Sequence, residues 1–235
     1  MDGTSIAERT LPYERDAFLW MNNHHNEFWD SFMMIYSGKL IWVPLSAVLL
    51  ITLFYKSKWQ NAVLFIFCMI LLATLCDQIS AGVIKPIFSR YRPTHHPDFV
   101  HSVITVDGYR GGRYGFISAH AANGFGVAMF ISLVFRIRWF TVAIFSWALV
   151  TCYSRIYLGV HFVSDVVGGM ILGSILGFLI YLLHQYCRVK VLKLSLEDLI
   201  IPPYTKIHAK IISITLLATV LIIAIYSMVE IYFLK

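Results

Sequence analysis

Six unbroken apolar runs, each about the length needed to cross a bilayer as helix, constrain this chain more than any other feature. They cover roughly Lys39–Tyr55, Ala62–Ile84, Phe116–Phe135, Trp139–Val160, Phe162–Tyr186 and Ile211–Phe233. A hydrocarbon core takes about 20 apolar residues of helix to cross. Lipid offers the backbone no hydrogen-bond partners, so each run is expected to be helical. Barrel strands alternate over about ten residues per pass, and these runs do not alternate. The fold class is therefore all-α: a polytopic membrane protein with six transmembrane helices. Composition agrees, with 58% hydrophobic and 14% charged residues, against about 45–50% and about 25% in soluble domains.

The polar remainder falls on two faces. The short connections "KSKW", "RIR" and "CRVKVLKLSLEDLIIPPYTKIHAK" put Lys56, Lys58, Arg136, Arg138, Arg188, Lys190, Lys193, Lys206 and Lys210 on one face, with only Glu197 and Asp198 as acids. By the positive-inside rule that face is cytoplasmic. The other face holds the N-terminal segment, the 31-residue loop Lys85–Gly115 and the turn around Val160. Within "YERDAFLWMNNHHNEFWDSFMMIYSG", the residues Phe18, Leu19, Phe28, Trp29, Phe32 and Met33 sit among polar ones, which predicts an amphipathic helix lying at the membrane interface. The stretch "MDGTSIAERTLPYERDAF" has no apolar core and does not read as a cleavable signal peptide. No repeat or linker marks a second domain, so 1–235 reads as a single membrane-embedded domain, with an interfacial segment 1–37 and a core 38–235. Cys68, Cys76, Cys152 and Cys187 lie in or beside apolar runs without metal-ligand spacing and read as buried apolar side chains. Nothing marks an oligomeric state.

The second face collects the chemistry. "KPIFSRYRP" crowds Lys85, Arg90 and Arg92 at the end of the second run, and such mutual repulsion implies an anion among them. The third run opens with "FISAH", placing Ser118 and His120 in its first turn; the fourth ends in "SRIYLGVH" with Arg155; the fifth begins at His161 with Asp165 one turn on. All share one membrane depth. Arg and Lys give charge-assisted hydrogen bonds to phosphate oxygens, and two helix N-termini add free N–H groups. At i and i+4, His161 and Asp165 share a helix face. A carboxylate holding one imidazole nitrogen leaves the other free to attack, and His120 is placed to be a general acid.

These three stretches resemble the signatures of the type 2 phosphatidic acid phosphatase family, which shares a fold with vanadium haloperoxidases. Lys85, Arg92 and Pro93 match Lys, six residues, Arg-Pro; "ISAH" resembles Pro-Ser-Gly-His; Ser154, Arg155, His161 and Asp165 match Ser-Arg, five residues, His, three residues, Asp. The resemblance implies His161 as a nucleophile that becomes phosphohistidine, Asp165 as its orienter and His120 as proton donor. It implies Lys85, Arg92, Ser118, Ala119 through its N–H, and Arg155 as phosphate ligands, with no metal and no cofactor. Two positions depart from the pattern: Ile117 replaces Pro, and Ala119 replaces Gly, keeping the backbone donor while adding a methyl.

Other polar residues read more plainly. His95, His96, Asp98 and His101 read as a lip that admits a headgroup rather than a metal site. Arg90, Arg110 and Arg113 either widen an anionic funnel or face lipid headgroups. "DGYRGGRYG" reads as a flexible cover, Asp77 as a bundle-facing carboxylate bonded to a polar neighbour, and Gly169, Gly173 and Gly177 as a close-packing face. The expected function is a membrane lipid phosphatase whose partners are a lipid phosphate substrate and membrane lipids, with no nucleic acid. Its expected place is a bacterial inner membrane with the site facing the periplasm. Lipid A, undecaprenyl diphosphate, phosphatidylglycerophosphate and phosphatidic acid are candidate substrates, with a slight lean to lipid A. A lipid phosphotransferase and a non-enzymatic lipid or anion transporter are the rival readings.

Overall fold

The computed structural model describes residues 11–195 and 197–234. The first ten residues, on which much of the signal-peptide reading and part of the 1–37 segment rest, lie outside the described residues. Nine α-helices follow in order: α1 Leu11–Asn22, α2 Glu27–Ser37, α3 Val43–Phe54, α4 Trp59–Asp77, α5 Lys85–Phe88, α6 Ala119–Phe135, α7 Arg138–Tyr157, α8 Val163–Lys190 and α9 Lys206–Val229. Among the described residues there is no strand, only an isolated bridge between Tyr91 and Tyr114.

Among the described residues, four helices are long and apolar enough to cross a membrane: Trp59–Phe88, Arg138–Tyr157, Val163–Lys190 and Lys206–Tyr232. A fifth exists if Glu27–Ser37 and Leu40–Phe54, bent by 68°, form one span. The expected sixth falls short by length. Ser118 caps α6, whose 17 residues begin at Ala119 rather than at Phe116. The first expected run, Lys39–Tyr55, is one helical stretch over Leu40–Phe54, and Gly38, extended after α2, separates it from Glu27–Ser37. In the second run, α4 passes through a π-helical turn, Gln78–Ile84, into α5, a wide turn of the kind often found near functional sites.

These helices are apolar almost all round, so residue size rather than polarity selects the inward face. In α6 the small residues Ala121, Ala122, Gly124, Gly126 and Ala128 are buried, whereas Ile171, Ile175 and Leu179 of α8 point outward. Gly169, Gly173 and Gly177 of α8 lie against the α6 backbone, as expected for a close-packing face. A methyl group at Gly177 would sit 2.5 Å from the Gly126 carbonyl oxygen.

The N-terminal helices correct the interfacial expectation. Their apolar residues cover the bundle: Phe18 of α1 meets Phe99 and Phe162 edge-on, and Phe32, Met33 and Tyr36 of α2 are buried. Asn22 ties α1 down by accepting from the Ile104 N–H (2.9 Å) and donating to the Tyr157 carbonyl (2.8 Å). On α2, Asp30 accepts from the Tyr157 hydroxyl at 2.6 Å and Ser31 donates to Ser227 Oγ at 3.1 Å. The basic connections do gather at one end of the bundle, where Arg136 donates to the Ile200 carbonyl and Arg188 to that of Asp198. The opposite end joins the start of α6, the end of α7 and the start of α8.

Candidate active site

His161 lies in the turn before α8, not on the helix itself, so the His161–Asp165 pair is made by a capping turn rather than a shared helix face. Asp165 accepts from the Phe162 N–H at 3.0 Å, and its Oδ2 lies 3.3 Å from His161 Nδ1. Both side chains are buried. With Nδ1–H donating to the carboxylate, Nε2 is the nitrogen left for chemistry. Arg92, Arg155, Lys85 and His120 all act electrostatically on this imidazole. Burial, reinforced by those cations, pushes His161 well below its ordinary range, which favours the uncharged ring.

The cations converge from three elements. Arg92 Nε donates to the Tyr114 carbonyl at 3.1 Å and Nη1 to the Val160 carbonyl at 3.3 Å, so the loop and the α7–α8 turn aim its guanidinium. Burial and Arg155 lower its basicity from the ordinary value. Arg155 is almost fully buried. Its guanidinium donates to Ser37 Oγ and, at 3.0 Å, to the Tyr109 hydroxyl, while its buried Nε has no partner among the described residues. Lys85 lies within electrostatic reach of Arg92, Arg155 and Asp165. So many cations with so few carboxylates make a site for an anion.

Other expectations are modified. Ser118 is fully buried, and its hydroxyl caps α6 by accepting from the Ala121 N–H at 3.4 Å. Its own N–H donates to the Asp165 carbonyl at 2.8 Å. Ala119 and His120 line a cavity of 330 Å³. The α8 N-terminus is not a free anion site, because Asp165 takes the Phe162 N–H and Glu14 takes the Ser164 N–H at 2.7 Å. Of the four residues read as a lip, His96 is buried instead, its ring against Phe99 and Phe162, whereas Asp98 and His101 are exposed. Among the described residues no group of three metal-ligating side chains converges. Arg110 is pinned to Thr94, and Arg113 donates to the Tyr91 hydroxyl, so "DGYRGGRYG" is a tied segment rather than a loose cover.

Arg90 is the largest correction. It is neither at a funnel nor at headgroups but fully buried. Nη1 donates to Asp165 Oδ1 at 3.0 Å and to Ser164 Oγ at 2.6 Å, and Nη2 donates to Glu14 Oε1 at 2.5 Å. The guanidinium also stacks 4.4 Å from the centre of the Phe162 ring. Glu14 of α1 thus fixes Arg90, Arg90 fixes Asp165, and Asp165 orients His161. Glu14, Ser164, Tyr109 and Ser37 were not legible as site neighbours. The only signal was that "KPIFSRYRP" holds one more arginine than the phosphate signature requires.

Gly115 is required by close approach. A methyl group there would lie 2.8 Å from Asp165 Oδ2 and 3.3 Å from Arg92 Cγ. Gly115→Ala is expected to lower kcat by about 10²-fold, the cost of a small misplacement of reacting groups. Turnover of the purified variant checks this, and wild-type kcat would exclude it.

Residues 61–188 match the PAP2 superfamily. The chain is 42% identical over 181 residues to the lipid A 4'-phosphatase of Porphyromonas gingivalis, covering 77% of each chain. It is 38% identical over 169 residues to the lipid A 4'-phosphatase of Bacteroides thetaiotaomicron, covering 72% of this chain and 75% of that one. In fold it is similar to the transmembrane PAP2 type phosphatidylglycerolphosphate phosphatase from Bacillus subtilis, with a TM-score of 0.58 and 21% identity over 76% of this chain and 87% of that one. With its signatures gathered around His161 and its matched segment covering more than half its length, this chain belongs to the PAP2 superfamily.

Proposed function

We propose that this protein is a membrane lipid phosphatase that removes a phosphate from a lipid of the lipid A class. The observation that carries the reading is a buried His161, held by Asp165 and ringed by Arg92, Arg155, Lys85 and His120. The substrate class follows from the two relatives named lipid A 4'-phosphatase.

In this reading, Lys85, Arg92 and Arg155, with Ser118 and the Ala119 N–H, hold the phosphate oxygens. His161 Nε2 attacks phosphorus, and the bond from phosphorus to the sugar oxygen breaks. His120 donates a proton to that oxygen as it leaves. His120 then takes a proton from water, whose oxygen attacks phosphorus, breaks the P–N bond and releases inorganic phosphate. The chain acts as one membrane-embedded domain over 1–235, with α6 and the bent α2–α3 pair completing six crossings. The site faces the periplasm of a bacterial inner membrane, opposite the basic connections.

The test is a ranking of kcat/KM for purified protein, with EDTA present throughout. The substrates are a doubly phosphorylated lipid A, undecaprenyl diphosphate, phosphatidylglycerophosphate and phosphatidic acid. Lipid A is expected to rank first, with one inorganic phosphate released per turnover. A higher rank for undecaprenyl diphosphate would contradict the substrate class, and phosphate recovered on an acceptor lipid would identify a transferase.

A further inference from the structure

His120 stands between two cavities. One, of 250 Å³, contains Arg155 and Tyr109; the other, of 330 Å³, contains Asp77, Asn123, Trp42 and Thr151. Lys39 borders both. A general acid sits beside the oxygen it protonates, so phosphate on the Arg155 side places the departing group on the Asp77 side.

The second cavity has a specific polarity. Asp77 stands within an apolar span, where an ionisable side chain is costly and marks function by default. Among the described residues no cation forms a salt bridge with it. Asn123 Nδ2 donates to Asp77 Oδ1 at 2.7 Å and to the Ala119 carbonyl at 3.0 Å. Both partners are acceptors, so the amide orientation is determined and its two hydrogens are engaged. What remains for a ligand is the second carboxylate oxygen of Asp77 and the carbonyl oxygen of Asn123. Both accept hydrogen bonds and neither donates. The Trp42 ring supplies an apolar wall beside them.

We propose that this cavity is a leaving-group subsite in which Asp77 and Asn123 accept hydrogen bonds from the hydroxyl or amide N–H groups of an amino-sugar ring. The proposal rests on the lipid phosphatase reading and names what that site selects. A sugar carries such donors next to its phosphate and a flat apolar face for Trp42. Diacylglycerol has no donor at that position.

The experiment uses the full chain in proteoliposomes, with lipid A and phosphatidic acid as substrates and Asp77→Ala and Asn123→Ala as variants. The readout is the ratio of kcat/KM for lipid A to that for phosphatidic acid, which is independent of the fraction of protein folded. Losing a hydrogen bond to a charged group is expected to lower that ratio by about tenfold or more for Asp77→Ala, chiefly through KM. For Asn123→Ala, which frees Asp77 but removes one acceptor, the fall is smaller, at about three- to tenfold. An unchanged ratio in both variants would overturn the subsite while leaving the lipid phosphatase intact. Wild-type protein that cleaves phosphatidic acid but not lipid A would overturn the sugar-phosphate reading and the subsite with it.

Discussion

His161→Ala is expected to lower phosphate release by roughly 10⁴-fold or more, the scale seen when a nucleophile is removed from an otherwise intact site. The reason is local. Among the described residues Ser118 Oγ is used as a helix cap, the Ser37 and Tyr109 hydroxyls are engaged by Arg155, and the other imidazole, His120, lines two neighbouring cavities. The cationic nest of Arg92, Arg155 and Lys85 survives the substitution, so lipid phosphate should still bind. A fall in kcat with little change in binding distinguishes loss of the nucleophile from loss of the phosphate site. Binding is read from competition with a labelled lipid phosphate, and turnover from released phosphate. Near-wild-type kcat in this variant would reject His161 as the attacking group.

Arg90→Met is expected to be the most destabilising single change. Arg90 is fully buried between the carboxylates of Asp165 and Glu14. Taking away the cation leaves two buried carboxylates facing each other, a situation that costs about 3–5 kcal/mol. Arg90→Lys keeps the charge but loses the fork that reaches Asp165, Ser164 and Glu14 together, so it should rescue only part of that stability. Glu14→Gln removes one of the two carboxylates and should make Arg90→Met less costly than in the parent. A coupling of about 0.5–3 kcal/mol is expected for side chains in direct contact. Thermal unfolding of the four proteins in detergent measures it. Additive effects would show that Glu14 and Arg90 act separately. In surviving Arg90→Lys protein, kcat should fall more than KM rises, because Asp165 loses its fixed orientation rather than the site losing a phosphate ligand.

The sequence reveals most where its physics is local or one-dimensional. The apolar runs announced helices because nothing else satisfies the backbone in lipid. Lys85, Arg92, His120, Arg155, His161 and Asp165 were legible because their spacing matched known signatures and each lay at the same end of its run. Glycine spacing in α8 announced its contact with α6. Asp77 was expected to face the bundle and bond a polar neighbour; Asn123 is that neighbour, but Asp77 itself is exposed. Arg90 was read as widening a funnel or facing headgroups because a cation beside a phosphate motif, with no acid near it in sequence, looks free for anions. Its partners, Glu14 and Asp165, lie 76 and 75 residues away in opposite directions, and no periodicity links such positions. The N-terminal helices were misread for a related reason. An amphipathic helix covering a bundle and one covering a membrane show the same pattern, and only the polar partners of Asn22 and Glu14 separate them. The start of α6 shifted because an apolar run does not mark its own cap: Ser118 Oγ accepts the Ala121 N–H, and the helix begins after it.

The most direct test is rapid acid-free quenching of the wild-type protein during turnover of lipid A labelled at phosphorus, followed by peptide mapping of the trapped phosphate. Label on His161, stable in base and lost in acid, is the expected result. Label on a carboxylate or a hydroxyl side chain, or on His120 instead, would contradict the arrangement in which Asp165 presents His161 to the phosphate.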